Sequence, residues 1–563
     1  MATIEVNIAN YGTLLGSVDE ERQVAVFKNV PYAVVPKRWR PAVKVQPWSG
    51  VRDATKQGPV CPQMDSKYPL AQILPEEELK VGDGKNAFGL DFDEHQCLNL
   101  NIFVPLDSLK EGAKPVPVMS WVHGGACRDG SNGTPLYDAR NVVKRSIQLN
   151  QPVIVVALNY RLNVFGFLAS KELEEELQEE IASSSEPVPE YDQSVGNWGL
   201  MDQKMAFEWV RENISAFGGN ARNVTAFGES AGSITIHYHM LCPSHFGLFD
   251  HAIMQSGTIH TMRPGHANTD GQAIFDGLLK KLNIPSDLDA KEKVRRLRAI
   301  PEDEITLAGS EFSIPGYQPY YDNGKIVPSK ISLQLLALDP AAYDPNLKSV
   351  LIGANKNEGS AFASMFGELN LTNWPTLHQR YCPAPELNPV FEAVYGVPNT
   401  DKDVVRISAD WMGDYLFGFP VQRVNQAFMA LQKQKPESFQ VTRYHFDAEI
   451  QKLKDMFPGL GALHAGELPF VFGPPLVETA LTEKELSLSA EMQRIWIAFA
   501  NQAPLAVEDG QVPKTNEALI WTAGHGLEIG ESTRFSEHGL LFWDKVAGLL
   551  AQKDQALLLQ REK

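Results

Sequence analysis

Short apolar runs punctuate the chain at Val116–Trp121, Val153–Ala157, Val224–Phe227, Ala252–Met254 and Val350–Ile352. Runs of this kind, without polar alternation, predict strands buried on both faces. Between two of them lies Leu200–Ile214, where Met201, Met205, Trp209 and Val210 share one face near helical spacing. Strands alternating with helices predict an α/β fold: a large, mostly parallel central sheet flanked by helices, with ligands at the carboxyl ends of its strands. No internal repeat and no Gly/Ser-rich linker interrupts the pattern, so residues 1–563 read as a single domain with insertions.

Two segments stand apart. Residues 171–193 form an acidic surface insertion, KELEEELQEEIASSSEPVPEYDQ, whose first half predicts an exposed helix and whose second half predicts a surface loop. Leu540–Leu559 carries Trp543, Val546, Leu549, Leu550, Leu557 and Leu558, which predicts an amphipathic helix packed on the domain. Asp544 and Asp554 speak against a membrane as its partner.

Charge and composition narrow the partners. With 51 Lys+Arg against 69 Asp+Glu the net charge is −18, which excludes the basic footprint that nucleic acid or an anionic membrane surface requires. The longest apolar run, Pro152–Leu158, is far short of the roughly 20 residues of a transmembrane span. The first residues, MATIEVNIANYGTLLGS, have neither a basic region nor an apolar core. Five cysteines are too few for a disulfide scaffold. A cytoplasmic location is expected, unless a leader was removed from a longer precursor. No phosphate-binding loop, dinucleotide fingerprint or calcium-loop spacing occurs, so neither cofactor nor metal is expected, and His237 and His239 read as core residues.

The sharpest chemical signal is Gly228-Glu229-Ser230-Ala231-Gly232, placed directly after a strand and before the apolar Ser233–Met240. This is the arrangement of a nucleophile elbow, in which glycines leave room for a serine on a turn too tight for neighbouring side chains. A serine hydroxyl needs a base, an orienting acid and donors for the developing oxyanion. His123-Gly124-Gly125-Ala126, after an earlier strand, offers small residues whose N–H groups can approach a substrate oxygen, and Ala231 offers a further N–H. Such donors are worth ~3–4 kcal/mol each in the transition state.

These residues resemble the type-B carboxylesterase/lipase family, which includes the cholinesterases. The likeness runs nearly end to end. It includes Pro47-Trp48-Ser49-Gly50-Val51, Cys97-Leu98-Asn99-Leu100-Asn101-Ile102, Asn159-Tyr160-Arg161, and Gly196-Asn197-Trp198-Gly199-Leu200-Met201-Asp202-Gln203 leading to the elbow. The resemblance implies an α/β-hydrolase fold with cap and loop insertions forming an active-site gorge. Within Gly353–Ser360 it makes Glu358 the acid, and within His464–Gly473 it makes His464 the base. By the same mapping the oxyanion donors are the N–H groups of Gly125, Ala126 and Ala231, with Gly124, Glu229 and Ser256 in support. Glu229 acts either electrostatically or through hydrogen bonding.

Departures from the family pattern bear on the substrate. The oxyanion turn reads Gly-Gly-Ala-Cys, so Cys127 stands where a large ring is common and reads as a small buried filler. Cys61 and Cys97 match the cysteines that close a flap-like loop, residues 61–97, and are bridged only in an oxidising compartment. The acid supporting that loop is displaced to Glu94 or Asp93, with Arg38 or Arg40 as its partner. Residues 62–96 contain no Trp for a quaternary ammonium, leaving Phe88 and Phe92 as weak substitutes, and Glu76-Glu77-Glu78, Lys80 and Asp83 make the loop too polar for a lipid-docking lid. The implied function is hydrolysis of neutral or hydrophobic small-molecule esters through an acyl-enzyme. Acyl transfer or cyclisation within a biosynthetic pathway is the close alternative, and a catalytically silent binding protein is the alternative of another class.

Overall fold

The computed structural model describes residues 2–561 apart from 65–88, 186, 313–315, 364–366, 475–479, 523, 525 and 532–534. Its main sheet contains β1 (Ala2–Ile8), β2 (Gly12–Asp19), β3 (Val24–Pro31), β4 (Asn99–Pro105), β5 (Val116–Val122), β6 (Ile154–Leu158), β7 (Gly219–Glu229), β8 (His251–Gln255), β9 (Ser349–Asn355), β10 (Gln440–Asp447), β11 (Glu517–Thr522) and β12 (Gly526–Glu531). Their spatial order is β1-β2-β3-β4-β6-β5-β7-β8-β9-β10-β11-β12. From β6 to β11 every neighbouring pair is parallel. Both flanks are antiparallel along this order, and a short thirteenth strand, Val51–Asp53, pairs parallel to β2.

All five predicted strands are present. Their apolar runs do not alternate because both faces are covered. Val118, Val156, Ala226, Met254 and Ile352 enter one core, while Met119, Trp121, Val155, Phe227, Ile253 and Leu351 enter the other. The flanking strands β1–β4 and β10–β12 were not predicted. They mix polar and apolar positions, as in Gln440–Asp447, and only their neighbours in the sheet decide their conformation.

The labelled helices are α1 (Lys171–Ser183), α2 (Trp198–Asn213), α3 (Ala231–Leu241), α4 (Asp401–Gly413), α5 (Phe419–Gln434), α6 (Glu483–Ala500) and α7 (Glu537–Arg561). Helix α1 follows Ser170, whose hydroxyl accepts from Leu173 N at 3.2 Å. It is more than the solvated face its charges predict, because Leu173 and Leu177 are buried and Glu176 pairs with Arg40 and Arg298. Burial works to raise the Glu176 carboxyl, but Arg298 and Arg40 hold it down at about 2.

A third core, separate from the sheet, joins α4 and α7 through Tyr381, Phe391, Ile407, Trp411, Phe542 and Trp543. Trp543 and Val546 pack as predicted, and Trp543 donates to Tyr395 Oη at 2.8 Å. Leu549 and Leu550 do not: they are 46% and 38% exposed, and the third core takes Phe542, Trp543, Val546 and Ala547 from this helix instead. The side chains of Leu557 and Leu558 lie outside the described residues. Among the described residues no helix is long and apolar enough to cross a membrane.

In the early loop, Arg38 rather than Arg40 takes the displaced acid. Its Nε donates to Glu94 Oε2 at 2.6 Å and its Nη2 pairs with Glu94 Oε1. Cys61 and Cys97 are both buried thiols here. Their mutual hydrogen bond, together with burial, pushes the Cys97 thiol well up. The acidic run at 76–78, Lys80, Asp83 and Phe88 lie outside the described residues.

Candidate active site

The parallel order puts the candidate groups together. The oxyanion turn follows β5, Ser230 follows β7, Ser256 follows β8 and Glu358 follows β9, so four adjacent strands end at one edge. The loop carrying His464 follows β10.

Ser230 sits between β7 and α3 at φ 54 and ψ −124, a left-handed backbone that side chains rarely adopt. Its N–H donates to Gln255 O at 2.9 Å and its carbonyl accepts from Ile234 N at 2.9 Å, so strand β8 and helix α3 hold the strained residue from both sides. Glycine is required beside it. A Cβ at Gly232 would collide with Val122 O, and one at Gly228 would lie 2.8 Å from the same atom. Glu229 and Ala231 are buried, while Ser230 itself is only half-buried.

The oxyanion turn packs onto this elbow. A Cβ at Gly124 would lie 2.7 Å from Glu229 Oε2 and 3.1 Å from Ser230 Cβ. Gly125 (φ 100), Ala126 (φ 55) and Cys127 (φ 55) continue in the left-handed region. The turn is closed by Arg128 N and Asp129 N, which both donate to Gly125 O at 2.9 and 3.0 Å. Gly125 and Ala126 are half-buried, so their backbone borders accessible space. Cys127 is fully buried and burial pushes its thiol up to about 12, which makes it a filler rather than a nucleophile.

Glu358 and His464, 106 residues apart, meet in a hydrogen bond of 2.6 Å between His464 Nδ1 and Glu358 Oε2. An ionised carboxylate only accepts, so Nδ1 carries a proton and, in the neutral ring, Nε2 is the basic nitrogen. Asn355 N donates to the other oxygen, Glu358 Oε1, at 2.7 Å. Phe417 and Phe362 pack on the imidazole with ring centroids 4.2 and 5.0 Å away.

Glu229 belongs to this cluster. Its Oε1 lies 3.0 Å from His464 Nε2, close enough for an ion pair although not aligned as a hydrogen bond. Burial raises the Glu229 carboxyl to about 8, against the pull of His464. Burial alone would lower His464, but Glu229 and Glu358 outweigh it and raise the imidazole to about 9. Ser256 occupies its place beside β9 with φ 51, yet its buried Oγ makes no hydrogen bond among the described residues.

Sequence reasoning passed over Glu467. It is fully buried three residues beyond His464, and accepts from Gln255 Nε2 at 2.9 Å and from Asn355 Nδ2 at 2.6 Å. Trp496 Nε1 in turn donates to Gln255 Oε1 at 3.1 Å. Burial, then Glu358, raises the Glu467 carboxyl. The available signal was an acid directly before the apolar Leu468–Phe472. His237 and His239 are core residues: His237 bonds Tyr343 Oη at 3.0 Å, and His239 bonds His245 and Gln203.

Comparison with known proteins matches the chain to a family. The carboxylesterase family model covers residues 2–523. The para-nitrobenzyl esterase of Bacillus subtilis (strain 168) is 31% identical over 544 residues, with 93% of each chain covered. The liver carboxylesterase of Sus scrofa is 30% identical, covering 85% of this chain and 81% of that protein. Among solved structures, a PNB esterase superposes with a TM-score of 0.69 at 27% identity, over 94% of this chain and 98% of that one.

Proposed function

The chain belongs to the carboxylesterase family, with the α/β-hydrolase fold and the carboxylic-ester hydrolase activity of that family, and on this premise we propose that Ser230, His464 and Glu358 carry the reaction. The observation that carries the reading is the buried 2.6 Å bond between His464 Nδ1 and Glu358, beside a serine held at φ 54 and ψ −124. His464 Nε2 takes the Ser230 proton as Oγ attacks the ester carbonyl. The tetrahedral oxyanion is met by the N–H groups of Gly125, Ala126 and Ala231. Collapse expels the alcohol, which receives the proton from His464, and leaves an acyl-serine. Water then adds to the acyl carbon, with His464 again as base, to release the carboxylic acid and restore Ser230. Glu358 fixes the tautomer and stabilises the imidazolium.

The substrates on this reading are neutral or hydrophobic small-molecule esters. Phe362 and Phe417, packed on the His464 ring, support an apolar group near the reacting carbonyl. The 563 residues act as one domain, with 171–193 as an acidic surface segment and 61–97 as a flap-like loop. A cytoplasmic location is supported by five buried thiols.

Intact-mass labelling with a fluorophosphonate tests the reading. One adduct on the wild type and none on Ser230→Ala is expected, together with turnover of p-nitrophenyl esters. A folded wild type that takes no label and hydrolyses none of them would overturn it.

A further inference from the structure

Four arginines are buried among the described residues: Arg38, Arg40, Arg161 and Arg443. Three have carboxylate partners. Arg38 pairs with Glu94, Arg40 with Glu176 and Glu180, and Arg161 with Asp202 through bonds of 2.7 and 2.8 Å. Arg443, on β10 and 6% exposed, has none among the described residues. Its Nη2 donates to Thr515 O at 2.8 Å. With the Asn425 amide turned oxygen-inward, Nη1 and Nε donate to that oxygen at 2.9 and 3.1 Å. Both acceptors are neutral. Burial pushes Arg443 down to about 10 and no acid among the described residues opposes it, whereas Asp202 overcomes the deeper burial of Arg161. Buried charges in proteins are paired, because an uncompensated one is costly.

Arg443, Gln422, Asn425 and His445 are polar members of the wall of a small cavity of about 10 Å³, which is otherwise lined mostly by apolar residues such as Val421 and Phe535. That volume is room for a single water-sized particle. Of the common anions, a monatomic one comes nearest to that size.

We propose that this cavity binds one halide-sized monoanion as the counter-ion of Arg443. The anion would tie β10 to the start of α5. Gly418 lines the cavity and directly follows Phe417, whose ring packs 4.2 Å from that of His464, so the site also steadies the turn Asp414–Gly418 that backs the candidate base. Neither its location nor its chemistry depends on the catalytic roles assigned above.

The test uses the full chain in sodium bromide. Crystals grown with bromide are expected to give an anomalous peak within hydrogen-bond reach of Arg443. In solution, the melting temperature should be higher in bromide than in gluconate at equal ionic strength, by about 2 °C. That rise should saturate with bromide concentration and be lost in Arg443→Gln. No peak at Arg443, equal melting in the two salts, a rise that never saturates, or a rise of equal size in a folded Arg443→Gln would each overturn the proposal. If Arg443→Gln does not fold, the peak and the saturation curve of the wild type decide.

Discussion

The two halves of the candidate site are held by different forces. On the nucleophile side, the geometry is made by backbone and by the absence of side chains. Ser230, Gly124 and Gly232 pack within a few ångströms of one another, and no Cβ fits at Gly232 without striking Val122 O. On the base side, the geometry is made by side chains from distant segments. His464, Glu358, Asn355, Glu467, Gln255 and Trp496 form one buried hydrogen-bonded line that runs from α6 to the imidazole. The first half is therefore intolerant of added volume, and the second is intolerant of a lost charge or hydrogen bond.

Substitutions on each side should fail differently. Glu358→Gln keeps the shape but presents the wrong hydrogen-bond pattern to His464 Nδ1. Its kcat on p-nitrophenyl acetate should fall by about 10⁴-fold, while its melting temperature stays within a few degrees of the wild type. Loss of fold instead of turnover would erase the distinction between the two halves. Gly232→Ala should do the reverse and lower stability by about 3 kcal/mol, the upper range for overpacking, measured by urea denaturation. An unchanged midpoint would mean that α3 shifts freely, and that the elbow is not locked by volume.

A subtler change sharpens the electrostatic half. As base, His464 must be neutral, so kcat/KM should fall as pH drops through the pKa of the imidazole. Because Glu229 and Glu358 raise that group to about 9, the acid limb should lie above the ordinary histidine value of about 6.5. Glu229 contributes the largest Coulombic share of that rise, ahead of Glu358 and Glu467, so Glu229→Gln should move the limb down by about one pH unit. A limb that stays in place would assign the shift to Glu358 and Glu467. The smallest effect is expected at Ala126, which holds φ 55 with a methyl group. Ala126→Gly should relieve that strain and raise stability by about 1 kcal/mol, read as a higher melting temperature, with the oxyanion N–H retained.

The same contrast explains what was legible. The elbow, the oxyanion turn and the central strands are local features. Their residues are neighbours in sequence, and apolar runs or glycines mark them through steric rules that act over a few bonds. His464 and Glu358 were found only through family resemblance, since thirteen histidines and 69 acids offer no local criterion. Glu467 was quoted within a motif and given no role, because its partners Gln255 and Asn355 are 212 and 112 residues away.

The sequence by itself determined the α/β class, the parallel core strands and the position of the strained serine, because each follows from short-range sterics and hydrophobic period. Only the tertiary structure decided which carboxylates surround the imidazole, which arginine takes Glu94 and that Arg443 has no carboxylate partner among the described residues. Those outcomes depend on which charges are excluded from water together. That is set by the packing of segments far apart in the chain, and no pattern of near neighbours encodes it.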